Sequence, residues 1–158
     1  MPLTGDDGYD ARNLRIAIVS SRFYTDIEQQ MREACLAELS RCGLAADAVT
    51  VVNVPGALEI PLALQMLAKS TRFDALIALG AVIRGETYPF EVVANQANAA
   101  LTQLSLKADI PIANAILTTY SVEQALARSR AKAVAAASVA VEMARLQHAW
   151  RDGIISPS

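Results

Sequence analysis

Four short apolar segments, each followed by a stretch with helical periodicity, constrain the fold of this chain more than any other feature of its sequence. The apolar segments are rich in aliphatic and β-branched residues, as is typical of buried strands, and they span residues 15–20, 48–54, 75–82 and 112–117. Apolar positions at helical spacing predict helices over residues 25–43, 58–70, 90–107 and 121–147. Strands that alternate with helices form a parallel sheet, and right-handed crossovers place helices on both of its faces. The sequence therefore predicts an α/β fold, a three-layer αβα sandwich around a four-stranded parallel sheet.

Two of the predicted helices begin with residues that can cap a helix. Thr25 or Asp26 is expected to cap the first helix. Ser121 is expected to cap the last one, and Gln124, three residues later, completes the pattern of a capping box. The alanine-rich part of this last helix predicts a face that packs closely against its neighbours.

Composition limits the classes of function. The 158 residues, 53% of them apolar, suffice for one domain, predicted over residues 14–158 after a flexible N-terminal arm at 1–13. With 14 basic and 16 acidic side chains and a net charge of −2, the chain lacks the basic surface that nucleic acids require. No apolar run reaches the roughly 20 residues of a membrane span, and the polar N-terminus has no signal-peptide core. We therefore expect a cytoplasmic protein without nucleic-acid or membrane partners.

The two cysteines indicate packing rather than chemistry. Cys35 occupies an apolar position of the first predicted helix, and Cys42 follows seven residues later, outside the spacings typical of metal ligands. We interpret both as packing thiols in a reducing compartment, and we expect neither a metal nor a cofactor.

Ligands of open α/β sheets bind at the carboxyl ends of the strands, and this rule selects four loops in the sequence. They are residues 21–24, 55–59, 82–90 and 113–120. The most informative stretch is 80–90, where an apolar strand leads into a polar turn that contains Arg84, Glu86 and Thr87 and then into a helix. Backbone N–H groups and the positive end of a helix dipole favour an anion at such a junction.

With these loops placed, four motifs of the chain resemble those of the lumazine synthase family of riboflavin biosynthesis. The motifs are SRF at 21–23, VPGALEIP at 54–61, GAVIRGET at 80–87, and ILTT at 116–119 followed by EQA at 123–125 and Arg128. The likeness spans about residues 14–147, and PGALEIP together with GAVIRGET at this separation is its most specific part. The resemblance implies a flavodoxin-like fold and a pentamer-based homo-oligomer, which in some members forms decamers or icosahedral shells.

The resemblance also implies a reaction, the condensation of 5-amino-6-(D-ribitylamino)uracil with 3,4-dihydroxy-2-butanone 4-phosphate to 6,7-dimethyl-8-ribityllumazine. By the family's pattern an aromatic ring stacks on the pyrimidine, one loop binds the ribityl chain, one strand end contacts the edge of the heterocycle, and a last group binds the phosphate. The resemblance therefore implies that Phe23 stacks on the pyrimidine and that Ala57, Leu58 and Glu59 bind the ribityl chain. It also implies that Ala81, Val82 and Ile83 contact the edge of the heterocycle and that Glu86, Thr87 and Arg128 bind the phosphate. An aromatic face suits a flat heterocycle, and a guanidinium suits a phosphate.

The chain departs from the family at the residue that transfers protons. A histidine usually stands directly before the aromatic residue of this motif, where this chain has Pro89. Proline has no titratable group and no N–H to donate. Because a positioned acid-base group contributes about 10²- to 10⁴-fold in rate, we expect weakened acid-base catalysis.

Three further features bear on the site. Asn114 stands where many members present an aromatic residue to the pyrimidine of a neighbouring subunit, and the segment 132–137 lacks the family's usual glycines and second lysine. The single histidine, His148, is predicted to be a surface or tail residue rather than a substitute base.

Several of these residues also have a simpler interpretation. Phe23 can be a core or loop-packing aromatic, and Glu59 can cap or decorate a helix start. Arg84 can bind backbone carbonyls or Glu86, and Arg128 can belong to a solvated basic face. For the whole chain the alternatives are a paralogue that binds a pterin-, lumazine- or flavin-like ligand or builds a shell without useful turnover, and a flavodoxin-like binding module.

Overall fold

The computed structural model describes residues 9–84 and 90–153, and its elements alternate along the chain. They are β1 (Ile16–Ser21), α1 (Thr25–Arg41), β2 (Val49–Val54), α2 (Ile60–Lys69), β3 (Ala75–Ile83), α3 (Phe90–Ala108), β4 (Ile112–Thr119) and α4 (Val122–Arg151). The strands form one sheet in the order β2-β1-β3-β4, and every neighbouring pair is parallel. The predicted α/β fold with a four-stranded parallel sheet is confirmed.

Helices cover both faces of this sheet and divide the core in two. Ile77 and Leu79 of β3 pack on one face, in a cluster with residues of α1 and α4. Leu76 and Ala78 pack on the other face, with residues of α2 and α3. Alternate residues of a strand point to opposite faces, so a strand buried on both faces needs an unbroken apolar sequence. This explains why no polar side chain interrupts β3 from Ala75 to Val82.

The alanine-rich face of α4 is closely packed, as predicted, and it lies against the sheet and α1. Ala133, Ala137, Ala140 and Ala144 are completely buried and recur at the spacing of one helical face. Small side chains allow the backbone of α4 to lie close to its neighbours.

The helix starts were predicted only in part. Ser121 caps α4 as expected, since its Oγ accepts a hydrogen bond from the Gln124 N–H at 3.1 Å. The prediction that Thr25 or Asp26 caps α1 is wrong, because Tyr24 occupies the cap position and no side chain there forms a capping bond. Thr25 and Asp26 instead lie in the first turn of α1, where the Asp26 carboxylate is favourable beside the helix N-terminus.

Two elements continue at least two residues beyond their predicted ends. β4 extends to Thr119 because its last residues pair with the end of β3, Val82 opposite Thr118 and Ile83 opposite Thr119. α4 extends to Arg151, past the predicted end at 147.

Both cysteines are buried and free, which agrees with their interpretation as packing thiols. Burial raises the pKa of the Cys35 thiol to about 12 and also raises the pKa of Cys42. A thiol with a raised pKa carries little of the reactive thiolate at neutral pH.

The last residues of the predicted N-terminal arm contact this same chain. Ala11 is fully buried, and its N–H donates to the Cys42 carbonyl at 2.8 Å. The Arg145 guanidinium of α4 donates to the carbonyls of Asp10 and Arg12. Residues 1–8 lie outside the described residues, so the flexible arm and its boundary stay a prediction.

Candidate active site

A groove of about 350 Å³ lies at the carboxyl ends of the strands, where the segments after β1, β2 and β3 meet. The direction in which successive strands are added reverses between β1 and β3, so their following loops diverge and leave a crevice. The groove is lined by Phe23, Tyr24, Gly56, Ala57, Leu58, Glu59, Ala81, Val82, Ile83, Phe90 and Val93. Three of the four predicted loop regions therefore contribute to one site.

The segment after β1 presents an aromatic ring to this groove. The Arg22 N–H donates to the Val54 carbonyl at 2.9 Å and holds the segment against the end of β2. Phe23 follows and is 71% exposed, and its ring lies edge-on to that of Tyr24, with 4.9 Å between the ring centroids. Phe23 is therefore not a core residue, and its free face is accessible to a flat ligand.

The segment after β2 places a carboxylate on the groove wall. A short 3₁₀ turn over Ala57–Glu59 leads into α2, and the Glu59 N–H donates to the Gly56 carbonyl at 3.1 Å. A Cβ atom at Gly56 would lie 3.0 Å from Glu59 Oε2, so glycine leaves the space that the carboxylate occupies. Glu59 occupies the N-cap position of α2, so it does stand at a helix start, but its side chain forms no capping hydrogen bond there.

The end of β3 forms the floor between these two segments. Ala81 and Val82 are buried and Ile83 is half-buried. Beneath them, a Cβ atom at Gly80 would lie 3.2 Å from Ile60 Cδ1 and 3.3 Å from Ser21 Cβ. Glycine at this position lets β3 approach β1 and α2 closely below the groove.

Arg84 leaves the end of β3 towards β4. Its N–H donates to the Thr119 carbonyl at 3.0 Å, and its guanidinium carbon lies over the Tyr120 ring, 5.6 Å from the centroid. The contact with an aromatic face was not among the interpretations that the sequence suggested for Arg84. Three of the predicted site residues, Glu86, Thr87 and Pro89, lie outside the described residues.

Asn114 and Arg128 are not among the residues that line the groove. Asn114 is the third residue of β4 and lies opposite Ala78, well before the carboxyl end of the strand. Its Oδ1 accepts from the Ile116 N–H at 2.9 Å, and its Nδ2 donates to Asn98 Oδ1 at 2.8 Å. Arg128 is exposed on α4. One copy of the chain therefore does not bring these two side chains to its own groove.

His148 lies at the amino ends of the strands, opposite the end of the sheet that holds the groove. Its Nε2 is 2.7 Å from Asp74 Oδ1, and Asp74 directly precedes β3. The nine residues of β3 span roughly 30 Å between that end and the groove. His148 is a half-buried helix residue rather than a tail residue, and it is too far away to replace a catalytic base in this chain's groove.

Four lining residues were not among the predicted site residues, namely Tyr24, Gly56, Phe90 and Val93. The first three belong to loop regions that the sequence selected. Val93 could have been found from Phe90, because residues three apart share a helix face.

The chemistry of the groove is that of a binding site for a flat organic molecule. An apolar floor and an exposed aromatic ring suit a heterocycle, and the Glu59 carboxylate can accept hydrogen bonds from hydroxyl groups. Within residues 9–84 and 90–153, no cluster of His, Cys, Asp and Glu could hold a metal ion. In the same residues, no helix is long and apolar enough to cross a membrane.

These features define a doubly wound α/β protein with a groove at its switch point. Residues 13–148 match the 6,7-dimethyl-8-ribityllumazine synthase family. A protein of that name from Chromobacterium violaceum is 53% identical over 146 residues, which cover 92% of this chain and 94% of the relative. Those of Burkholderia multivorans and Burkholderia vietnamiensis are 59% and 58% identical over 84% of this chain, and 77% and 79% of their own lengths are covered. The chain belongs to the lumazine synthase family.

Proposed function

We propose that this protein condenses 5-amino-6-(D-ribitylamino)uracil with 3,4-dihydroxy-2-butanone 4-phosphate to 6,7-dimethyl-8-ribityllumazine, releasing phosphate and water. The observation that carries the proposal is the meeting of three separate segments in one groove, around Phe23, Glu59 and Ala81. They belong to the motifs that the family pattern assigns to the pyrimidine and its ribityl chain. Family membership supports the same reaction.

The groove supplies a place for the pyrimidine substrate. Phe23 stacks on the ring, while Ala81, Val82 and Ile83 contact its edge at the end of β3. Ala57, Leu58 and Glu59 face the ribityl chain, whose hydroxyl groups donate to the Glu59 carboxylate. The apolar floor excludes water around the heterocycle and strengthens these hydrogen bonds.

The phosphate of the second substrate belongs at the start of α3. The first turn of a helix has backbone N–H groups without partners inside the helix, and the dipole favours an anion there. We assign Glu86, Thr87 and Arg128 to the butanone phosphate. This assignment extends the family's motif to this chain, and it is supported by the position of α3, which begins at Phe90 beside the groove.

Catalysis in this scheme depends on binding more than on proton transfer. Pro89 cannot take a proton from the substrate amine or give one to the departing phosphate. Holding the amine against the ketone and binding the phosphate lower the barrier by proximity and electrostatics, which can contribute as much as an acid-base group or more. We therefore propose an enzyme that turns over slowly.

Asn114 and Arg128 suggest that the site is shared between copies of the chain. Both are exposed, and neither lines the groove of its own chain. We propose a pentamer-based homo-oligomer in which they complete a neighbouring groove. Exposed apolar side chains on two helices, Leu62 and Met66 of α2 and Met143 and Leu146 of α4, provide surface for subunit contacts.

We place the assembly in the cytoplasm, which agrees with two free cysteines.

A second candidate function follows from Pro89 alone. If the missing acid-base group abolishes turnover, the same groove would bind a lumazine- or flavin-like ligand without converting it, or the assembly would act as a shell. The flavodoxin-like binding module is no longer a candidate, since the chain belongs to the lumazine synthase family.

Product formation separates these functions. Purified protein mixed with both substrates is expected to form 6,7-dimethyl-8-ribityllumazine faster than the uncatalysed reaction, as followed by its absorbance. The control is the same mixture without protein. No lumazine above that background, while the protein still binds added lumazine, would reject the enzyme and favour the second candidate.

Replacement of Phe23 by alanine tests whether its ring stacks on the ligand. Because the ring is largely exposed, the free energy of unfolding should change by less than about 0.5 kcal/mol. Loss of stacking should weaken lumazine binding about tenfold, as measured by fluorescence titration. Leu106→Ala is the matched control, since Leu106 is similarly exposed at 75% but lies outside the groove. Equal affinities of the two variants would contradict the stacking role.

Replacement of Pro89 by histidine tests whether an acid-base group at this position speeds the reaction. Pro89→His should raise kcat at least about tenfold if the position faces the reacting atoms. Pro89→Ala is the control, because it removes the proline ring without adding a titratable group. If both variants turn over at the same rate, residue 89 does not face the reacting atoms.

The proposed assembly is tested by sedimentation velocity. A pentamer should sediment with a mass about five times the 16.8 kDa of one chain, and decamers or icosahedral shells as larger species. A stable monomer at micromolar concentration would contradict a site shared between copies.

A further inference from the structure

The exposed Tyr120 ring contacts the residues on both sides of the segment 85–89. The Arg84 guanidinium lies over the ring at 5.6 Å, and the Phe90 ring stacks on it at 6.1 Å with an interplanar angle of 28°. Tyr120 is 66% exposed and does not line the groove. Neither the motifs nor the lining of the groove explains why a large aromatic residue stands at this position.

The backbone that carries Tyr120 is well fixed. The Tyr120 N–H donates to Gln124 Oε1 at 3.0 Å, and the Gln124 N–H donates to Ser121 Oγ at 3.1 Å. Thr119 Oγ1 donates to the Ser121 carbonyl at 2.9 Å. These bonds join the end of β4 to the first turn of α4, so the Tyr120 ring projects from a rigid junction.

The two partners of the ring are connected to the proposed substrate site. Arg84 continues from the floor of the groove, and its N–H is bonded to the Thr119 carbonyl beside Tyr120. Phe90 lines the groove and begins α3, whose N-terminus we assign to the phosphate. A cation over an aromatic face and a pair of stacked rings are both attractive, so the ring holds these two partners in a fixed relation.

We propose that Tyr120 is a positioning residue for the phosphate-bearing substrate. Through Arg84 and Phe90 it sets the separation between the end of β3 and the start of α3. In the proposed scheme the pyrimidine and its ribityl chain contact Phe23 and Glu59, which lie on other segments, so pyrimidine binding depends less on Tyr120. This inference rests on the proposed condensation and identifies a residue for it outside the family's motifs.

Steady-state kinetics with each substrate varied separately test the proposal. Tyr120→Ala should raise the KM for 3,4-dihydroxy-2-butanone 4-phosphate about five- to tenfold, because both aromatic contacts are lost. The KM for the pyrimidine should change less than about twofold, and Tyr120→Phe should behave as the wild type because it keeps the ring. Leu106→Ala, at an even more exposed apolar residue, controls for loss of surface area. Equal changes in both KM values, or an unchanged Tyr120→Ala enzyme, would overturn the proposal.

A double-mutant cycle with Arg84→Gln tests whether Tyr120 acts through Arg84. If it does, the KM for 3,4-dihydroxy-2-butanone 4-phosphate should rise less in the double variant than the product of the two single-variant increases. Independent, multiplicative effects would contradict this route.

Hydrogen exchange keeps the test independent of turnover. The Arg84 amide, which is bonded to the Thr119 carbonyl, should exchange at least about threefold faster in Tyr120→Ala than in the wild type or Tyr120→Phe. If the wild type forms no lumazine, the condensation is rejected while this comparison still decides the positioning role. Unchanged exchange in Tyr120→Ala would overturn that role even in an active enzyme.

Discussion

The burial of β3 on both faces is the constraint on which the rest of the structure depends. Every residue from Ala75 to Val82 is buried, and alternate side chains enter the two separate cores. Such a strand requires neighbours on both edges and helices above and below it. Parallel pairing with β1 and β4 then directs the carboxyl ends of all four strands to one edge. The groove lies there because the loops that follow β1 and β3 diverge at the switch point.

In the proposed function, binding and chemistry are carried by different parts of this site. The groove is built by β1, β2 and β3, whose ends are held by the hydrogen bonds and packing of the sheet. In the proposed function, proton transfer would belong to position 89, which lies outside the described residues and is Pro89 in this chain. The described contacts of the groove, such as the bond from the Arg22 N–H to the Val54 carbonyl, join β1, β2 and their following loops. A slow enzyme and a ligand-binding paralogue would therefore share the same groove.

Asn114 illustrates how a residue that is isolated from the groove can still have a defined geometry. Its amide is held by Asn98 on α3 and by the Ile116 N–H of its own strand. The second bond uses a backbone donor on the open edge of β4, which is otherwise a position where another strand could add. A polar side chain fixed in this way presents a hydrogen-bonding surface, rather than an aromatic ring, to any neighbouring copy.

Local pattern in the sequence was enough to determine the alternation of strands and helices, the parallel sheet and the edge that holds the site, because apolar periodicity follows directly from burial. It also identified the cap at Ser121 and the residues of three of the loops. It misplaced the cap of α1 and the ends of β4 and α4. The end of β4 depends on pairing with β3, which lies far away in the sequence. Only the tertiary structure decided that Glu59 faces the groove, that His148 pairs with Asp74 at the far edge, and that the Tyr120 ring contacts Arg84 and Phe90. Such contacts join residues far apart in the chain, and they are determined by strand register and helix packing, which no local periodicity encodes.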